Sequence, residues 1–323
     1  MNGQAMPIVE VVVIPEVYEV EISVTSTNDQ PIKLATFEKR RWLYYLTMPI
    51  SWLLTIYVMA KKAVYKLCRI SGPNINTFWF DGLGVSTQKV KETAASWKAL
   101  DEIYNYHFRF SLTPKVFIDN FWEGMLNCQA VRNRYKLVKQ EIRRAILRFS
   151  NHQEVRLVSL ACGSAQAVIE VMAEFKAKGV PVRTILVDIN QDALDYANKL
   201  AKQNGVAGQI TTMKTSVSQI VRIARDFKPQ VIEMLGLLDY IPQDKAIRLV
   251  GKIYESLETK GIFLTCNIAP NPEMHFVTWV INWQMIYRKP IHLTEIVYKA
   301  GFSDFRLIYE PLKVHGLVVA QKA

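Results

Sequence analysis

From residue 151 to the end of the chain, short apolar runs alternate with amphipathic segments. Seven runs have the length and composition of buried strands, at 156–162, 184–188, 209–213, 229–236, 261–269, 305–310 and 315–321. Three segments between them repeat apolar residues at three- and four-residue steps and predict helices, at 165–178, 192–204 and 244–257. Strands joined by helices of this length need crossover connections, which predicts a parallel sheet with helices on both faces. The last two strands are joined only by a short turn, which predicts an antiparallel hairpin.

The pattern before residue 151 is different. Residues 9–24 alternate as strands do and predict a small sheet or an added edge strand. Residues 89–149 predict helix, and 127–149 form a basic amphipathic segment. We therefore expect three parts, namely an N-terminal extension (1–35), a helical and basic lid region that is a candidate for membrane contact (36–150), and an α/β domain (151–323).

Residues 42–60 carry no charge over 19 positions and have basic residues on both sides. A helix of that length would span about 28 Å, close to the hydrocarbon thickness of a bilayer. Trp42, Tyr44 and Tyr45 lie near one end, as interfacial aromatic residues do, but Pro49 interrupts the run. Three interpretations stay open: a transmembrane or re-entrant helix, a helix in the membrane interface, and a buried helix.

Composition narrows the class of protein. The chain has 323 residues with 50% hydrophobic and 21% charged content, which excludes a disordered chain and a polytopic membrane protein. Four cysteines lie far apart, so we expect neither a metal site nor a disulfide framework, and a cytoplasmic, reducing location. The net charge of +11 comes mainly from residues 33–150, where 20 Lys and Arg face 8 Asp and Glu. An anionic partner or a solvated basic helix face would explain this excess.

The first predicted strand of the α/β domain runs into a turn of small residues, 161–165, which opens a helix. Small residues let a ligand approach the backbone, and a helix N-terminus offers free N–H groups. The second strand ends in Asp188, 25 residues after Gly163. A carboxylate at that position can accept hydrogen bonds from ribose hydroxyls, so the two features together predict a nucleoside-binding edge. A helix-capping aspartate is the alternative.

Residues 154–323 resemble the class I S-adenosylmethionine-dependent methyltransferases, whose fold is a Rossmann-like seven-stranded sheet with an antiparallel last strand. LVSLACGSA (157–165) stands where that superfamily has its glycine-rich motif, and ILVDIN (185–190) where it has the ribose-binding acid. MLGLLDYIP (234–242) is similar to the fourth motif, and LETKGIFLTCNI (257–268) to the turn into strand five. Ala161 and Ala165 stand in place of two customary glycines, and Ser159 in place of the usual acid of the first strand.

This resemblance implies S-adenosylmethionine as the cofactor. It implies that Ala161, Cys162, Gly163 and Ser164 approach the methionine moiety, that Asp188 and Ile189 meet the ribose, that Ser216 lies near the adenine, and that Leu235 and Gly236 line the floor. Arg132 and Arg134, before the first strand, are candidates for the cofactor's carboxylate or for solvent-facing charge.

A narrower resemblance covers APNPEMHFVTWVINWQMIYRKP (269–290), which is similar to a segment of bacterial methyltransferases that make 3-hydroxy fatty acid methyl esters. Trp279, Trp283 and Tyr287 recur every four residues, and His275 begins the row. One interpretation is an apolar acceptor pocket with Arg288 at its end to hold a carboxylate. The other is a core aromatic stripe.

The preferred hypothesis is a methyltransferase acting on a small or lipid-like acceptor, such as the carboxylate of a (hydroxy) fatty acid. A carboxylate acceptor needs no base, whereas a hydroxyl would need one, for which His275, His107 and Tyr287 are candidates. The alternatives are a nucleic-acid methyltransferase, for which the Asn/Asp-Pro-Pro-Tyr type of motif is absent from the sequence, and a non-catalytic, membrane-associated binding protein of the same fold. A nicotinamide oxidoreductase is disfavoured, because the terminal hairpin is atypical of that class. The oligomeric state is left open.

Overall fold

The computed structural model describes residues 11–13, 17–18, 35–71, 77 and 83–323. The helices of this part are α1 (Arg41–Leu67), α2 (Val85–Glu92), α3 (Trp97–Tyr104), α4 (Pro114–Glu123), α5 (Leu126–Arg148), α6 (Gln166–Ala177), α7 (Gln191–Gln203), α8 (Ile220–Phe227), α9 (Gln243–Ser256), α10 (Met274–Trp279) and α11 (Pro290–Lys299). Its strands are β1 (Val11–Val13), β2 (Val17–Tyr18), β3 (Ala35–Thr36), β4 (Val155–Leu160), β5 (Val182–Asp188), β6 (Ile210–Lys214), β7 (Val231–Met234), β8 (Ile262–Ile268), β9 (Asp304–Tyr309) and β10 (His315–Gln321).

Eight strands form one sheet in the order β1-β9-β10-β8-β7-β4-β5-β6. β10 is antiparallel to its neighbours β8 and β9, and the other pairings in this sheet are parallel. The predicted seven-stranded α/β sheet with an antiparallel last strand is therefore confirmed. β1 adds an eighth strand beside β9, and β2 pairs with β3 in a small separate sheet. The rest of the strand-like segment 9–24 lies outside the described residues.

Helices cover both faces of the sheet, as the alternating pattern predicts. α5, α6 and α7 bury one face, with Ile142, Leu157 and Ile169 at its centre. α8, α9 and α11 bury the other face, with Phe263 and Phe302 in contact. Each fully buried side chain of this size contributes roughly 1.5–3 kcal/mol relative to an exposed one. β4 lies between β5 and β7, so the chain adds strands first on one side of β4 and then on the other. Open α/β sheets bind ligands at the carboxyl ends of the strands where this order changes.

The helical region before β4 is fixed to the sheet through α5. The first N–H groups of a helix have no partner within the helix. In α5, Glu273, which is distant in the sequence, caps two of these groups. Its Oε1 accepts from the backbone N–H of Leu126 (2.9 Å), and its Oε2 accepts from that of Asn127 (2.8 Å). The segment after β8 and the start of α5 therefore hold each other in place above the carboxyl edge.

The predicted helical segment 89–149 is confirmed as four helices, α2 to α5, separated at 93–96, 105–113 and 124–125. The row His275, Trp279, Trp283, Tyr287 does not share a helix face, because α10 ends at Trp279 and Asn282 adopts a left-handed backbone conformation (φ +61°). That conformation turns the chain, so residues spaced by four no longer lie on one helix face after Trp279.

The uncharged run 42–60 lies within α1. Four consecutive inward positions on this helix, Thr47, Ser51, Thr55 and Val58, are buried against the protein. Among the residues that the structure describes, no helix combines the length and the hydropathy that a membrane span requires.

Candidate functional site

A cavity of about 380 Å³ opens at the carboxyl edge of the sheet, under α3, α4 and α5. The ends of β4, β5, β7 and β8 and the start of β10 contribute to its wall. Eight of the nine predicted cofactor residues line it, namely Ala161, Cys162, Gly163, Ser164, Asp188, Ile189, Leu235 and Gly236. Ser216 follows β6 but does not line the cavity, because its hydroxyl caps the next short helical turn and accepts from Ser218 N–H.

The turn after β4 has an alternating left-handed backbone, with φ of +50° at Ala161, +54° at Gly163 and +51° at Ala165. The two alanines occupy the positions where the resemblance expects glycine, and they adopt the glycine-like conformation despite its cost of roughly 1–2 kcal/mol per residue. Gly163 needs to be glycine for a second reason. A Cβ there would lie 3.0 Å from Cβ of Trp97.

Asp188 joins the end of β5 to this turn. Its Oδ2 accepts a hydrogen bond from Gly163 N–H (2.9 Å), and its Oδ1 accepts one from Asn190 N–H (2.9 Å). A carboxylate has about four acceptor positions, so two backbone bonds leave capacity for a diol. The predicted ribose-binding acid is therefore fixed in the cavity wall with acceptor capacity that fits the sugar of S-adenosylmethionine.

Trp97, the first residue of α3, lies over the turn. Its ring packs on Tyr196 of α7 at a centroid distance of 4.9 Å, and Tyr196 donates a hydrogen bond to Asp101 Oδ2 (3.0 Å). Burial raises the pKa of Asp101 above its ordinary value. The indole Nε1 of Trp97 has no hydrogen-bond partner within the described chain, which leaves a donor beside the cavity.

Glu233, in the centre of β7, supplies a carboxyl group that was not predicted. Ser159 and Glu233 are paired in register on neighbouring strands, and the Ser159 hydroxyl donates a hydrogen bond to Glu233 Oε1. Burial raises the pKa of Glu233 to about 7. The acid that the resemblance expects on the first strand at Ser159 is thus carried by the adjacent strand. A single acid in the apolar strand VIEM was the signal for it.

The other end of the cavity combines one cation with polar groups. Arg134 of α5 is buried and donates a hydrogen bond to Tyr104 Oη (2.8 Å). Burial alone would lower the pKa of Arg134, but Tyr104, Cys266 and Asp239 outweigh burial and raise that pKa, so the guanidinium stays charged. Asp239 accepts from Ile268 N–H (2.8 Å), and burial raises its pKa to about 6. Arg132, by contrast, is held by Glu38 and Glu123 outside the cavity.

His315, the first residue of β10, also lines this end, although the sequence did not single it out. The available signal was its place at the start of the antiparallel strand, because such a strand begins at the edge where the parallel strands finish. Its side chain is buried, and burial, together with the charge of Arg134, lowers its pKa well below the ordinary value.

The predicted catalytic residues do not meet in this cavity. His275 and His107 are exposed and do not line it, and the Tyr287 hydroxyl donates to Met274 O (3.4 Å). Of the two tryptophans, Trp283 lines the cavity and donates from Nε1 to Tyr240 Oη (2.6 Å). Trp279 packs outside it, under the ammonium group of Lys62.

Arg288 is buried but turned away from the cavity. Its guanidinium donates to Gln243 Oε1 (3.0 Å), to Asn267 Oδ1 (2.5 Å) and to the backbone carbonyls of Leu238 and Ile241. These bonds use its donors to fix the loop after β7 against β8. The structure therefore gives Arg288 a supporting place in the fold and leaves Arg134 as the guanidinium in the cavity wall.

The described part of the chain contains no cluster of His, Cys, Asp and Glu that could hold a metal ion. The ionisable groups of the cavity wall come from separate elements: Asp188 from β5, Glu233 from β7, Arg134 from α5 and Asp239 from the turn after β7. This arrangement can bind a polar nucleoside at the turn and an apolar molecule under the helices.

The chain is similar to solved structures of other proteins. A structure described as a possible exported protein from Bordetella parapertussis matches with a TM-score of 0.61 and 18% identity, over 73% of this chain and 86% of that one. The magnesium protoporphyrin IX methyltransferase from Synechocystis, with bound S-adenosylhomocysteine, matches with a TM-score of 0.49 and 13% identity, over 68% of this chain and 91% of that one. No curated protein matches the chain.

A family model described as "Putative methyltransferase" matches residues 44–322. The match covers most of the chain, including the helical region and the whole sheet from β4 onward. The chain therefore belongs to this methyltransferase family.

Proposed function

We propose that this enzyme transfers the methyl group of S-adenosylmethionine to an oxygen of a small, largely apolar, lipid-like acid. One observation carries the proposal: the cavity continues from the turn at Gly163 into an apolar chamber. The side chains of this acceptor chamber are Trp122, Val131, Val277, Ile281, Trp283 and Met285. Such a wall excludes water and suits an alkyl or aromatic body, while methyl transfer itself needs mainly alignment of the two reactants.

Arg134 is the group that we assign to the acceptor's carboxylate. It is charged and buried, and its Nη1 lies 4.0 Å from the position that a Cβ of Gly236 would occupy, beside the predicted floor. A guanidinium with free donors binds a carboxylate in a bidentate manner. A fatty-acid carboxylate, expected from residues 269–290 with Arg288 as its anchor, would instead meet Arg134.

Calorimetry on the full chain tests this assignment, with S-adenosylhomocysteine first and dodecanoate second. Replacing Arg134 by Met should weaken dodecanoate binding about tenfold or more and leave the S-adenosylhomocysteine affinity within about twofold. Arg143→Met is the matched control, because Arg143 lies on the same helix and pairs with Glu174 outside the cavity. If Arg134→Met weakened the nucleoside instead, Arg134 would serve the cofactor's carboxylate. If wild-type protein bound no S-adenosylhomocysteine, the function itself would be wrong.

Helix α1 also supports the lipid-like substrate class. On this helix polar side chains face the protein and large apolar side chains face outward. Its inward positions are the hydroxyl residues Thr47, Ser51 and Thr55, whereas its outward positions are large and apolar, with Leu53 69% exposed and Trp52 59% exposed. The other exposed apolar side chains of this face include Trp42, Tyr45, Leu46, Ile50, Ile56, Tyr57 and Met59. An apolar face of this size on a monomer is typical of a membrane or protein contact.

We infer that the occupant of this face is an anionic membrane surface. Arg40 and Arg41 precede the apolar face and Lys61 and Lys66 follow it, so both ends present charge to lipid headgroups. Val58, on the inward side of α1, packs in the same apolar cluster as the acceptor chamber. The membrane surface would thus lie on the side of the helical region that also walls the acceptor chamber.

Flotation with vesicles tests this contact. The full chain should float with phosphatidylglycerol-containing vesicles, less at high salt, and the double variant Leu53→Glu/Ile56→Glu should not. Val221→Glu, at an exposed position of α8, is the control for an added surface acid and should float as wild type does. Equal flotation of the double variant would refute the contact, and so would dimerisation of the wild type, lost in the double variant, without vesicle binding.

A further inference from the structure

His315 carries a buried imidazole whose two ring nitrogens both lack a hydrogen-bond partner among the described residues. Its side chain is 3% exposed and lines the cavity beside Ile268, its partner residue on β8. A buried polar group without a partner costs free energy, so nearly all such groups in native proteins are paired. An unpaired imidazole in a cavity wall therefore indicates a ligand that completes its hydrogen bonds.

The backbone around His315 is held in place by Glu310. The carboxylate of Glu310 accepts from Leu312 N–H (2.8 Å), Val314 N–H (2.6 Å) and His315 N–H (3.3 Å), which closes the turn before β10. Asn133 of α5 donates to the same carboxylate (3.3 Å). The imidazole is thus presented from a fixed backbone, as a group that aligns a reactant must be.

Burial and the charge of Arg134 keep the imidazole neutral. Arg134 of α5 faces it and opposes a second positive charge, while Asp239 and Glu233 line the same cavity from β7 and the turn after it. A neutral imidazole has one nitrogen that accepts and one that donates. It can therefore take a proton from a hydroxyl group, which a cation could not do.

We propose that His315 is a catalytic residue that accepts the proton of a hydroxyl on the acceptor, so that the methylated atom is a hydroxyl oxygen. This proposal rests on the proposed function and adds the class of oxygen to it. A carboxylate bound by Arg134 shares its lone pairs with the guanidinium and is a weaker nucleophile, which makes it an anchor. The hydroxyl beside the free imidazole is the group that reacts.

The step balances without any further reactant. The O–H proton moves to a ring nitrogen of His315, the oxygen lone pair forms the bond to the methyl carbon, and the electron pair of the broken C–S bond stays on sulfur. The products are a methyl ether, a thioether and an imidazolium. The positive charge that the sulfonium loses reappears on His315, so the net charge of the cavity beside Arg134 does not change.

A matched pair of probes separates the two kinds of acceptor: 4-octylphenol, which must lose a proton, and 4-octylbenzoate, which need not. With labelled S-adenosylmethionine, wild-type protein should methylate the phenol, and His315→Gln should reduce that rate about 100-fold or more. His292→Gln, at an exposed histidine of α11, should behave as wild type does. Transfer by the wild type to the benzoate alone would overturn the proposal and leave the proposed function standing.

The affinity for 4-octylphenol can be measured without methyl transfer. In the presence of S-adenosylhomocysteine, His315→Phe should weaken 4-octylphenol about tenfold while the affinity for S-adenosylhomocysteine stays unchanged. Unchanged phenol affinity, or no phenol binding by the wild type, would overturn the role of His315. Loss of S-adenosylhomocysteine binding by the wild type would instead sink the proposed function.

A measurement on the unaltered chain covers the case in which both variants unfold. Histidine-selective NMR of the full chain should show the His315 ring resonances shift when 4-octylphenol is added to the protein saturated with S-adenosylhomocysteine, while those of the exposed His292 stay unchanged. Unchanged His315 resonances at saturating phenol would contradict the proposal.

Discussion

The hydroxyl of Ser159 donates a hydrogen bond to the carboxyl group of Glu233 across two neighbouring strands at the base of the cavity. The acid expected on the first strand is therefore found at nearly the same place in the fold, but it is carried by the adjacent strand. Because a register-paired position on a parallel strand lies about 5 Å away, such an exchange preserves the position of a carboxyl group while changing its place in the sequence.

Glu233 should make the stability of the free enzyme depend on pH. Its pKa in the folded chain, about 7, lies above its ordinary value of 4.5, so the folded state holds the proton more tightly. The stabilisation is complete below the unfolded pKa and is lost as pH rises through about 7, a loss on the order of 3 kcal/mol. Denaturant unfolding should show that Glu233→Gln removes this part of the pH profile. A parallel profile for the two proteins would contradict it.

Replacing the left-handed alanines by glycine should stabilise the chain. Ala161→Gly and Ala165→Gly each relieve roughly 1–2 kcal/mol of backbone strain and add about 0.5–1 kcal/mol of unfolded-state entropy. The net gain expected in thermal unfolding is about 0.5–1 kcal/mol for Ala161→Gly and less for Ala165→Gly, which also removes a buried methyl group. Ala173→Gly, in the interior of α6, is the control and should destabilise by about 1 kcal/mol. A loss of stability at the two turn positions would show that the turn does not store this strain.

Gly163 and Gly179 form a matched pair that isolates the contact with Trp97. Both have a left-handed backbone, but a Cβ at Gly179 would meet nothing within 4 Å, whereas one at Gly163 would lie 3.0 Å from Trp97. Gly163→Ala should therefore cost roughly 1–3 kcal/mol more than Gly179→Ala. It should also weaken S-adenosylhomocysteine in calorimetry, which Gly179→Ala should not do. Equal effects of the two substitutions would show that Trp97 does not pack against the turn.

Arg288 should act on stability. Arg288→Ala leaves the carbonyls of Leu238 and Ile241 and the amide of Asn267 without their donor, which should cost about 3 kcal/mol or more in denaturant unfolding. S-adenosylhomocysteine binding at a temperature where the variant is folded should change little. A variant of normal stability with weakened acceptor binding would restore Arg288 to the acceptor site.

The sheet and the contact between the turn 161–165 and Asp188 could be predicted from the sequence, because they depend on local patterns. Buried strands alternate with helices, and the ends of parallel strands meet at one edge, which brings the turn 161–165 and Asp188 together. The methyltransferase prediction agrees with the family match. The signals involved lie within a few residues of each strand end.

The acceptor side could not be predicted in the same way. The row from His275 to Tyr287 assumes one continuous helix, and the left-handed residue Asn282 ends that assumption. The side-chain partners of Arg288 and Arg134 lie 21 to 50 residues away, and the His315 ring has none among the described residues, so the sequence alone does not decide which of the three faces the cavity. Only the packing of the helical region over the sheet decides it.

Calorimetric titration of the full chain and of Asp188→Ala with S-adenosylhomocysteine tests the central claim most directly. Asp188 tethers the turn through Gly163 and retains acceptor capacity for the sugar, so wild-type protein should bind the nucleoside at micromolar concentration. Asp188→Ala should bind it about 100-fold more weakly or not at all, while its thermal unfolding stays cooperative. Wild-type protein that fails to bind, or a variant that binds as tightly as wild type, would contradict the account.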